Sequence, residues 1–301
     1  MANNGLRVGV IGFGEVGSAF GRGLTGEGLE GVVAADAASD DPTFGSLIRR
    51  RADEARVRLL PSNAEVGEVA DVLLVAVPGY RALEAAEQAA PGLRKGKLYV
   101  DVGSASPRVK HALAEVVGAT GATTVDVAIL SSPLIEGHRV ATLASGPEAG
   151  RFRELMTPLG FNIEVVGAQP GQAAAIKMLR SVLMKGIESL LLESLLAARR
   201  HGVEDIVLNT VGDFWDKGSF VEMANVLITT DAIHAGRRAH EADMMSEVVE
   251  EVGITPRLSP HIAETLHWSN SLGLREHFGG EVPKEWKTVI DAMLAKMDEG
   301  K

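Results

Sequence analysis

The stretch Leu6–Gly17, which reads LRVGVIGFGEVG, decides the fold of this chain. It begins with an apolar run typical of a buried β-strand. It then passes into Gly12-Phe13-Gly14-Glu15-Val16-Gly17, which opens a helical pattern. A GxGxxG sequence between a strand and a helix predicts a phosphate-binding turn. Its first glycine makes the turn, its second admits a pyrophosphate, and its third lets the helix pack on the strand. We therefore expect these six residues to form part of a dinucleotide site.

Short apolar runs and helical patterns alternate beyond this turn. Strands are expected at Leu6–Ile11, Gly31–Asp36, Asp71–Val77, Leu98–Val102 and Thr123–Ile129, with candidate edge strands at Val140–Leu143 and Asn162–Val166. The intervening helices are expected at Glu15–Leu24, Gly45–Ala55, Arg81–Ala90 and Arg108–Val117. Continuous apolar strands separated by helices predict a parallel sheet that is covered on both faces.

The character of the sequence changes near residue 167. Residues 172–200 contain no proline and one glycine, and their apolar side chains recur at helical spacing. A helix of this length would measure roughly 45 Å, which is typical of a helix that joins two domains or packs in a dimer. Further helical patterns cover residues 203–217, 219–251, 258–272 and 284–299. We predict an α/β domain over residues 1–166, followed by an all-α domain over residues 167–301.

Composition excludes several classes of function. The 301 residues carry a net charge of −10 and only 4% aromatic residues, which argues against nucleic-acid binding. The absence of cysteine excludes disulfides, thiolate nucleophiles and cysteine-based metal centres. No run approaches 18 apolar residues, so no membrane span is expected. The strand-like start leaves no room for a signal peptide, and a cytoplasmic protein is expected.

Asp36 lies at the end of the second strand, 19 residues after Gly17. An acid at this place accepts hydrogen bonds from ribose hydroxyls and repels a 2′-phosphate, which favours NAD over NADP. The alternative is that Asp36 only caps the strand, and one of Arg49, Arg50 and Arg51 could reach the adenosine end, so NADP stays open. Val77 and Pro78, at the end of the third expected strand, are further candidates for cofactor contacts.

With these motifs in place, the sequence resembles the β-hydroxyacid dehydrogenases, the group that contains the 3-hydroxyisobutyrate and 6-phosphogluconate dehydrogenases. The segment Asp101-Val102-Gly103-Ser104-Ala105-Ser106-Pro107 resembles the family's Asp-x-x-Thr/Asn-x-x-Pro segment. The segment Asp126-Val127-Ala128-Ile129-Leu130-Ser131-Ser132 resembles its D-A-P-V-S-G-G substrate loop, with Leu130 at the serine and Ser131 and Ser132 at the glycines. The resemblance implies a Rossmann-type first domain, and it implies that Ser104, Ser131 and Ser132 orient a substrate carboxylate.

The segment Gly171-Gln172-Ala173-Ala174-Ala175-Ile176-Lys177-Met178 resembles the family's G-x-G-x-x-x-K-M/I segment, whose lysine is the catalytic acid/base. The resemblance implies this role for Lys177, whereas a helical lysine is usually a solvated side chain. Burial would lower the pKa of this lysine toward the working range. Ser181 stands where the family has a substrate-binding Asn, and Arg180 could hold an anionic group or lie on the surface. Met184 replaces the catalytic Glu of 6-phosphogluconate dehydrogenases, which argues against that activity.

A cluster of charged residues, His234, Arg237, Arg238, His240 and Glu241, lies late in the chain. His240-Glu241 stands where the family has a Lys-Asp pair, and this match makes His240 a candidate for cofactor binding. The cluster is either an anion-binding wall of the active site or a salt-bridged helix surface or dimer contact. The scattered histidines give no support for a metal site.

These observations predict an NAD(P)-dependent oxidoreductase of a divergent branch of the family, with a distinct C-terminal helical domain. It would transfer a hydride between nicotinamide and a small anionic β-hydroxy acid or related alcohol, with Lys177 as acid/base, and would form a homodimer through its helical domain. One alternative is an enzyme similar to imine reductases, which generally lack a lysine at this helix position. The other is a non-catalytic dinucleotide-binding protein.

Overall fold

The computed structural model describes residues 5–299 and divides into two compact units, the first ending at Val182 and the second beginning at Leu183. The expected boundary between residues 166 and 167 falls at the end of the last strand. The division lies instead within the long helix, because Ala173 and Ala174 in the first turn of that helix are buried against the sheet of the first unit.

The first unit contains one eight-stranded sheet in the order β3-β2-β1-β4-β5-β6-β7-β8. Its strands are β1 (Val8–Ile11), β2 (Val33–Ala35), β3 (Arg58–Leu59), β4 (Val72–Val75), β5 (Leu98–Asp101), β6 (Thr123–Ile129), β7 (Ala141–Ser145) and β8 (Asn162–Gly167). Neighbouring strands are parallel except β6 and β7, which are antiparallel. The direction of strand order reverses between β1 and β4, which defines the Rossmann-type arrangement. The predicted α/β class is confirmed. Both candidate edge strands form, but only β8 lies at the edge of the sheet, because β7 pairs with β6 on one side and with β8 on the other.

The sheet is buried on both faces, which explains the continuous apolar runs. Val72 and Leu74 of β4 belong to one core, whereas Leu73 and Val75 belong to the core on the opposite face. Successive side chains of a strand point to opposite faces, so a strand covered on both sides must be apolar at every position.

Helices cover the two faces of this sheet. They are α1 (Glu15–Gly26), α2 (Gly45–Ala55), α3 (Asn63–Val69), α4 (Ala82–Ala89), α5 (Pro107–Gly118) and α7 (Ala149–Met156). The short helix α6 (Pro133–Glu136) buries no side chain and contacts α1. Short 3₁₀ turns lie at Gly79–Arg81, Ala90–Gly92, Gly137–Arg139 and Thr157–Leu159. The long helix α8 (Gln172–His201) follows β8, as predicted.

The second unit is entirely helical over its described residues. After α8 come α9 (Glu204–Trp215), α10 (Phe220–Asp243), α11 (Met245–Glu251), α12 (Ser259–Ser271), α13 (Leu274–His277) and α14 (Trp286–Glu299). Buried alanines at 232, 235, 239 and 242 give α10 a face without bulky side chains, along which α12 packs. Among residues 5–299, no helix is both long enough and apolar enough to cross a membrane.

The structure differs from the predicted elements in several places. The strand β3 and the helices α3, α6 and α7 were not predicted. The pattern at 219–251 forms two helices, because the α-helical hydrogen-bond pattern is interrupted at Met244, a position that no glycine or proline marks. The short helix α13 was likewise not predicted.

A carboxylate fixes the start of α12 in the second unit. The side chain of Glu193 accepts hydrogen bonds from the backbone N–H groups of Arg257 (2.5 Å), Leu258 (2.8 Å) and Ser259 (2.9 Å), and from the Ser259 hydroxyl. Burial opposes the ionisation of Glu193. The hydrogen bonds from Ser259 and the three backbone amides outweigh burial, and they lower the pKa of this carboxyl to about 2. The negative charge also lies at the favourable end of the α12 dipole.

Candidate functional site

The turn between β1 and α1 needs its first and third glycines. Gly12 has a φ of +82°, and a Cβ atom there would lie 2.8 Å from the carbonyl oxygen of Ala76. A Cβ atom on Gly17 would lie 1.9 Å from the carbonyl oxygen of Gly12. Neither position can accept a side chain without moving the backbone, because a real Cβ atom does not approach other atoms this closely.

The second glycine leaves the start of α1 open. Gly14 is the N-cap of this 12-residue helix, and no side chain caps it. A Cβ atom on Gly14 would meet no atom within 4 Å. The first N–H groups of a helix lack partners within the helix and carry partial positive charge, so they attract phosphate. The open N-terminus of α1 therefore fits a pyrophosphate.

Asp36 connects the second strand to this turn. Its Oδ2 accepts the backbone N–H of Phe13 at 2.6 Å, and its Oδ1 accepts that of Ala38 at 2.8 Å. The side chain of Phe13 is fully buried in the core, so Phe13 offers only its backbone to the site. Asp36 thus fixes the glycine turn, and its carboxylate also lines a cavity beside that turn.

Two cavities adjoin at the carboxyl ends of β1 and β4. The first, of about 460 Å³, extends from Gly12 and Gly14 to Asp36 and Arg81. The second, of about 470 Å³, extends from Gly14 to Ser104 and Lys177. Four residues line both: Gly14, Ala76, Val77 and Pro78. The crevice outside the strand ends at a reversal of strand order is where doubly wound folds bind their ligands.

Lys177 lies in the second cavity, one turn into α8. Its Nζ donates a hydrogen bond to the Ser104 hydroxyl at 3.0 Å. Burial lowers the pKa of Lys177 below its ordinary value, the positive charge of Lys110 lowers it further, and Asp126 opposes both effects. A lysine with a lowered pKa can take up and release a proton near neutral pH more readily than a solvated one.

The structure brings most of the predicted site residues together. Gly12, Gly14, Asp36, Val77 and Pro78 line the first cavity. Gly14, Glu15, Val16, Val77, Pro78, Ser104, Ser131 and Lys177 line the second. Ser132, Arg180 and Ser181 line neither of these cavities; Arg180 is exposed, and Ser132 is the N-cap residue of α6. Their predicted roles in substrate binding remain predictions.

His240 and its neighbours lie in the second unit. The exposed His240 ring contacts the His267 ring edge-on at 5.9 Å, and its Nδ1 is 3.8 Å from a carboxylate oxygen of Asp243. Arg237 pairs with Glu241, and Arg238 donates to the Thr230 hydroxyl at 2.7 Å on the same helix. These contacts show a hydrogen-bonded and ion-paired helix surface. The predicted role of His240 in cofactor binding remains a prediction.

Sequence reasoning missed a buried lysine behind this site. Lys110 on α5 is 1% exposed, and its Nζ lies between the carboxylates of Asp101 (2.7 Å) and Asp126 (2.9 Å), which are both fully buried. The resemblance had drawn attention to both aspartates but not to their partner. A signal existed: Lys110 shares the buried face of α5 with Leu113 and Val117, at spacings of three and seven residues.

Family comparisons agree with this geometry. Residues 7–105 match the family model of coenzyme F420-dependent NADP oxidoreductases, and residues 198–269 match a domain of unknown function, DUF1932. The conserved protein MTH1747, described as structurally similar to 3-hydroxyacid dehydrogenases, is 32% identical to this chain. That match covers 88% of this chain and 97% of the other, with a TM-score of 0.62.

Two further solved structures have the same fold. A conserved hypothetical protein from Sinorhizobium meliloti 1021 is 28% identical, with 97% of this chain and 96% of that chain covered and a TM-score of 0.64. An imine reductase variant from Myxococcus stipitatus, solved in complex with NAD+, is 19% identical, with 96% and 99% covered and a TM-score of 0.67. At that identity the likeness concerns the fold alone.

The chain belongs to the β-hydroxyacid dehydrogenase family, in a divergent branch that joins an NAD(P)-binding domain to a DUF1932 domain. It has the fold shared by 3-hydroxyacid dehydrogenases and imine reductases, and the family is one of dinucleotide-dependent oxidoreductases.

Replacing Gly14 by Ala tests the glycine turn. The methyl group would enter open space at the start of α1, so the variant should fold like the wild type. Its Kd for NADH should rise about tenfold or more, because the methyl group occupies the approach of the pyrophosphate. Fluorescence titration of NADH and thermal unfolding measure the two effects.

Gly17→Ala is the matched control for this variant. Its methyl group would collide with the carbonyl of Gly12, so its Tm should fall. An unchanged Kd for NADH in a folded Gly14→Ala variant would contradict the assignment of the turn.

Proposed function

We propose that this protein transfers a hydride between a nicotinamide dinucleotide and a carbon of a small β-hydroxy acid or related alcohol, with Lys177 as the acid/base. One observation carries the proposal. A partly buried lysine whose pKa is lowered lies in a cavity that adjoins an open phosphate-binding turn. Such a group is what proton transfer at a hydroxyl requires.

The residues of the first unit fit a dinucleotide along the two cavities. The open N-terminus of α1 would hold the pyrophosphate, and Asp36 in the first cavity would accept hydrogen bonds from the ribose hydroxyls. The nicotinamide end would then lie in the second cavity with Lys177. When bound, the nicotinamide ring supplies or accepts the hydride.

The polar groups of the second cavity account for the remaining chemistry. Neutral Lys177 would take the proton of the substrate hydroxyl as the alcohol carbon is oxidised, and its ammonium would return a proton in the reduction. The Ser104 hydroxyl holds the lysine side chain at 3.0 Å and so fixes the direction of its Nζ. Ser131 in the same cavity would orient the substrate carboxylate, with Ser132, Arg180 and Ser181 as further candidates. Holding both reactants in place accounts for much of the rate in such reactions.

Lys177→Met tests the acid/base role. We expect kcat to fall about 10²- to 10⁴-fold, while the Kd for NADH stays near the wild-type value, because proton transfer is lost and the phosphate turn is intact. The assay is a panel of small β-hydroxy acids with NAD+ and NADP+, run beside a panel of cyclic imines with NADH and NADPH. Lys185→Met, at an exposed lysine two turns along the same helix, is the control.

The pH profile adds a second readout. Oxidation needs the neutral amine, so kcat/KM for oxidation should rise with pH and reach a plateau above the pKa of Lys177. This apparent pKa should lie below 10.5, because burial and the charge of Lys110 lower it. Wild-type turnover by Lys177→Met would overturn the proposal. Reduction of imines without oxidation of any hydroxy acid would favour an imine reductase instead.

We further propose that NAD is the preferred cofactor. Asp36 places a carboxylate in the first cavity, where it would repel a 2′-phosphate. Arg81 lines the same cavity, but its guanidinium is paired with Glu84 at 3.2 Å. The Arg49 side chain donates to the backbone carbonyl of Ser39.

Titration with NADH and NADPH tests this preference. NADH should bind about tenfold more tightly, and Asp36→Asn should reduce the ratio by removing the repulsion. Asp41→Asn removes a second carboxylate from the same cavity and is the control; its ratio should change less. Tighter binding of NADPH by the wild type would contradict our interpretation of Asp36.

The second unit carries an exposed apolar surface that fits a homodimer. Large apolar side chains exposed by 40% or more include Leu191, Leu192, Leu196, Ile206 and Leu208 on α8 and α9. A folded chain that acts alone rarely exposes so many large apolar side chains on two consecutive helices. We propose that a second copy of this chain covers them.

Sedimentation equilibrium tests the dimer. The wild type should sediment at twice 31.7 kDa, and Leu192→Glu combined with Ile206→Glu should yield monomers. A monomeric wild type at micromolar concentration would contradict the proposal.

A further inference from the structure

Three buried charged groups lie behind Lys177. The Nζ of Lys110 is 2.7 Å from Asp101 Oδ2 and 2.9 Å from Asp126 Oδ1, and it also donates to the Asp101 carbonyl at 3.1 Å. All three side chains are 1% exposed or less. Charges removed from water this completely must be paired closely with one another.

One arm of this network holds the loop that carries Ser104. Lys110 Nζ donates to the carbonyl of Gly103 at 2.9 Å, and Asp101 Oδ1 accepts the Gly103 N–H at 3.0 Å. Gly103 is thereby fixed through both of its backbone polar groups. Its neighbour Ser104 accepts the hydrogen bond from Lys177.

The other arm holds the first turn of α8. Asp126 Oδ2 accepts the N–H of Ala174 at 2.9 Å and the hydroxyl of Ser145 at 3.3 Å. The Ser145 oxygen in turn accepts the N–H of Ala173 at 3.0 Å. These amides are among the first N–H groups of α8, which have no partner within the helix. Lys177 lies one turn further along.

We propose that Lys110 is a positioning residue for Lys177. Through Asp101, its ammonium holds the loop that carries Ser104, and through Asp126 it holds the first turn of α8. The loop and the helix meet in the Lys177–Ser104 hydrogen bond. The ammonium of Lys110 also adds a positive charge behind the amine of Lys177. The inference rests on the acid/base role proposed for Lys177.

The charges around Lys177 support this inference. Lys110 and Asp126 face it from the buried side, and Glu15 lines the same cavity. Burial and the charge of Lys110 lower the pKa of Lys177, whereas Asp126 raises it. Burial raises the pKa of Asp101 despite the neighbouring charge of Lys110.

Opposite shifts are therefore expected from two substitutions. Lys110→Met should raise the pKa of Lys177, because the repelling charge is lost. Asp126→Asn should lower it, because the attracting charge is lost; the amide oxygen still offers an acceptor to Ala174. Each shift should be about half a unit or more. Asp101→Asn is the matched comparison: it removes the other carboxylate partner of Lys110, which holds the Ser104 loop rather than the first turn of α8, and it should change the pKa of Lys177 less than Asp126→Asn does.

The pKa of Lys177 is measured by labelling the full-length protein with acetic anhydride across a pH series and quantifying acetylated Lys177 by mass spectrometry. Circular dichroism establishes that each variant is folded. If Lys110→Met does not fold, the comparison of Asp126→Asn with Asp101→Asn decides alone. A lowered pKa in Asp126→Asn but not in Asp101→Asn supports the inference.

An unchanged pKa in folded Asp126→Asn, or shifts in the same direction for Lys110→Met and Asp126→Asn, would overturn the inference. A merely structural role for Lys110 predicts no such pair of opposite shifts. The labelling uses no substrate, so its result is independent of whether Lys177→Met retains turnover, which tests the proposed function itself.

Discussion

The ammonium of Lys110, enclosed between the carboxylates of Asp101 and Asp126, is the interaction on which the candidate site depends. It joins the end of β5 and the middle of β6 to α5, and through Asp126 it reaches the start of α8. Removing one partner of a buried ion pair typically costs about 3–5 kcal/mol, because the remaining charge stays buried without compensation. These three buried charges hold the Ser104 loop and the first turn of α8 in place. The loop and the helix meet in the hydrogen bond between Lys177 and Ser104.

The second constraint is the close approach of backbone at the glycine turn. Gly17 packs its Cα against the carbonyl of Gly12, while Gly14 leaves the helix start open. The three glycines of the turn thus leave space for a ligand at the start of α1 and allow close packing of α1 against the turn. Asp36 completes the turn by accepting the Phe13 amide, so one carboxylate serves both the fold and the first cavity.

The sequence predicted most of the sheet because strands buried on both faces are apolar at every position. It missed β3, since two residues are too few to show a period. The helix α3 did carry a signal: Ser62 caps it by accepting the N–H of Glu65, in the S-x-x-E pattern of a helix start. The break at Met244 carries no glycine or proline and could not be foreseen from local sequence.

The sequence predicted only part of the site, because some of its residues carry a local pattern and others do not. The glycine turn has a local pattern, and Lys177 was found through resemblance, but their meeting in adjoining cavities depends on the fold. Arg180 shares a helix face with Lys177, yet it is exposed. Helical spacing predicts which residues share a face, but it does not predict which of those residues the rest of the chain buries. Lys110 was missed because a lysine in a helix is usually solvated. Only the position of Leu113 and Val117 on the same face indicates its burial.

A crystal structure of the protein with NAD+ and a small β-hydroxy acid tests the central claim most directly. We predict the pyrophosphate at the N-terminus of α1. We predict the Nζ of Lys177 within about 3.2 Å of the substrate hydroxyl, and the hydroxyl-bearing carbon about 3–3.5 Å from the reactive carbon of the nicotinamide. A dinucleotide bound away from the glycine turn, or a substrate hydroxyl that Lys177 does not reach, would contradict the account.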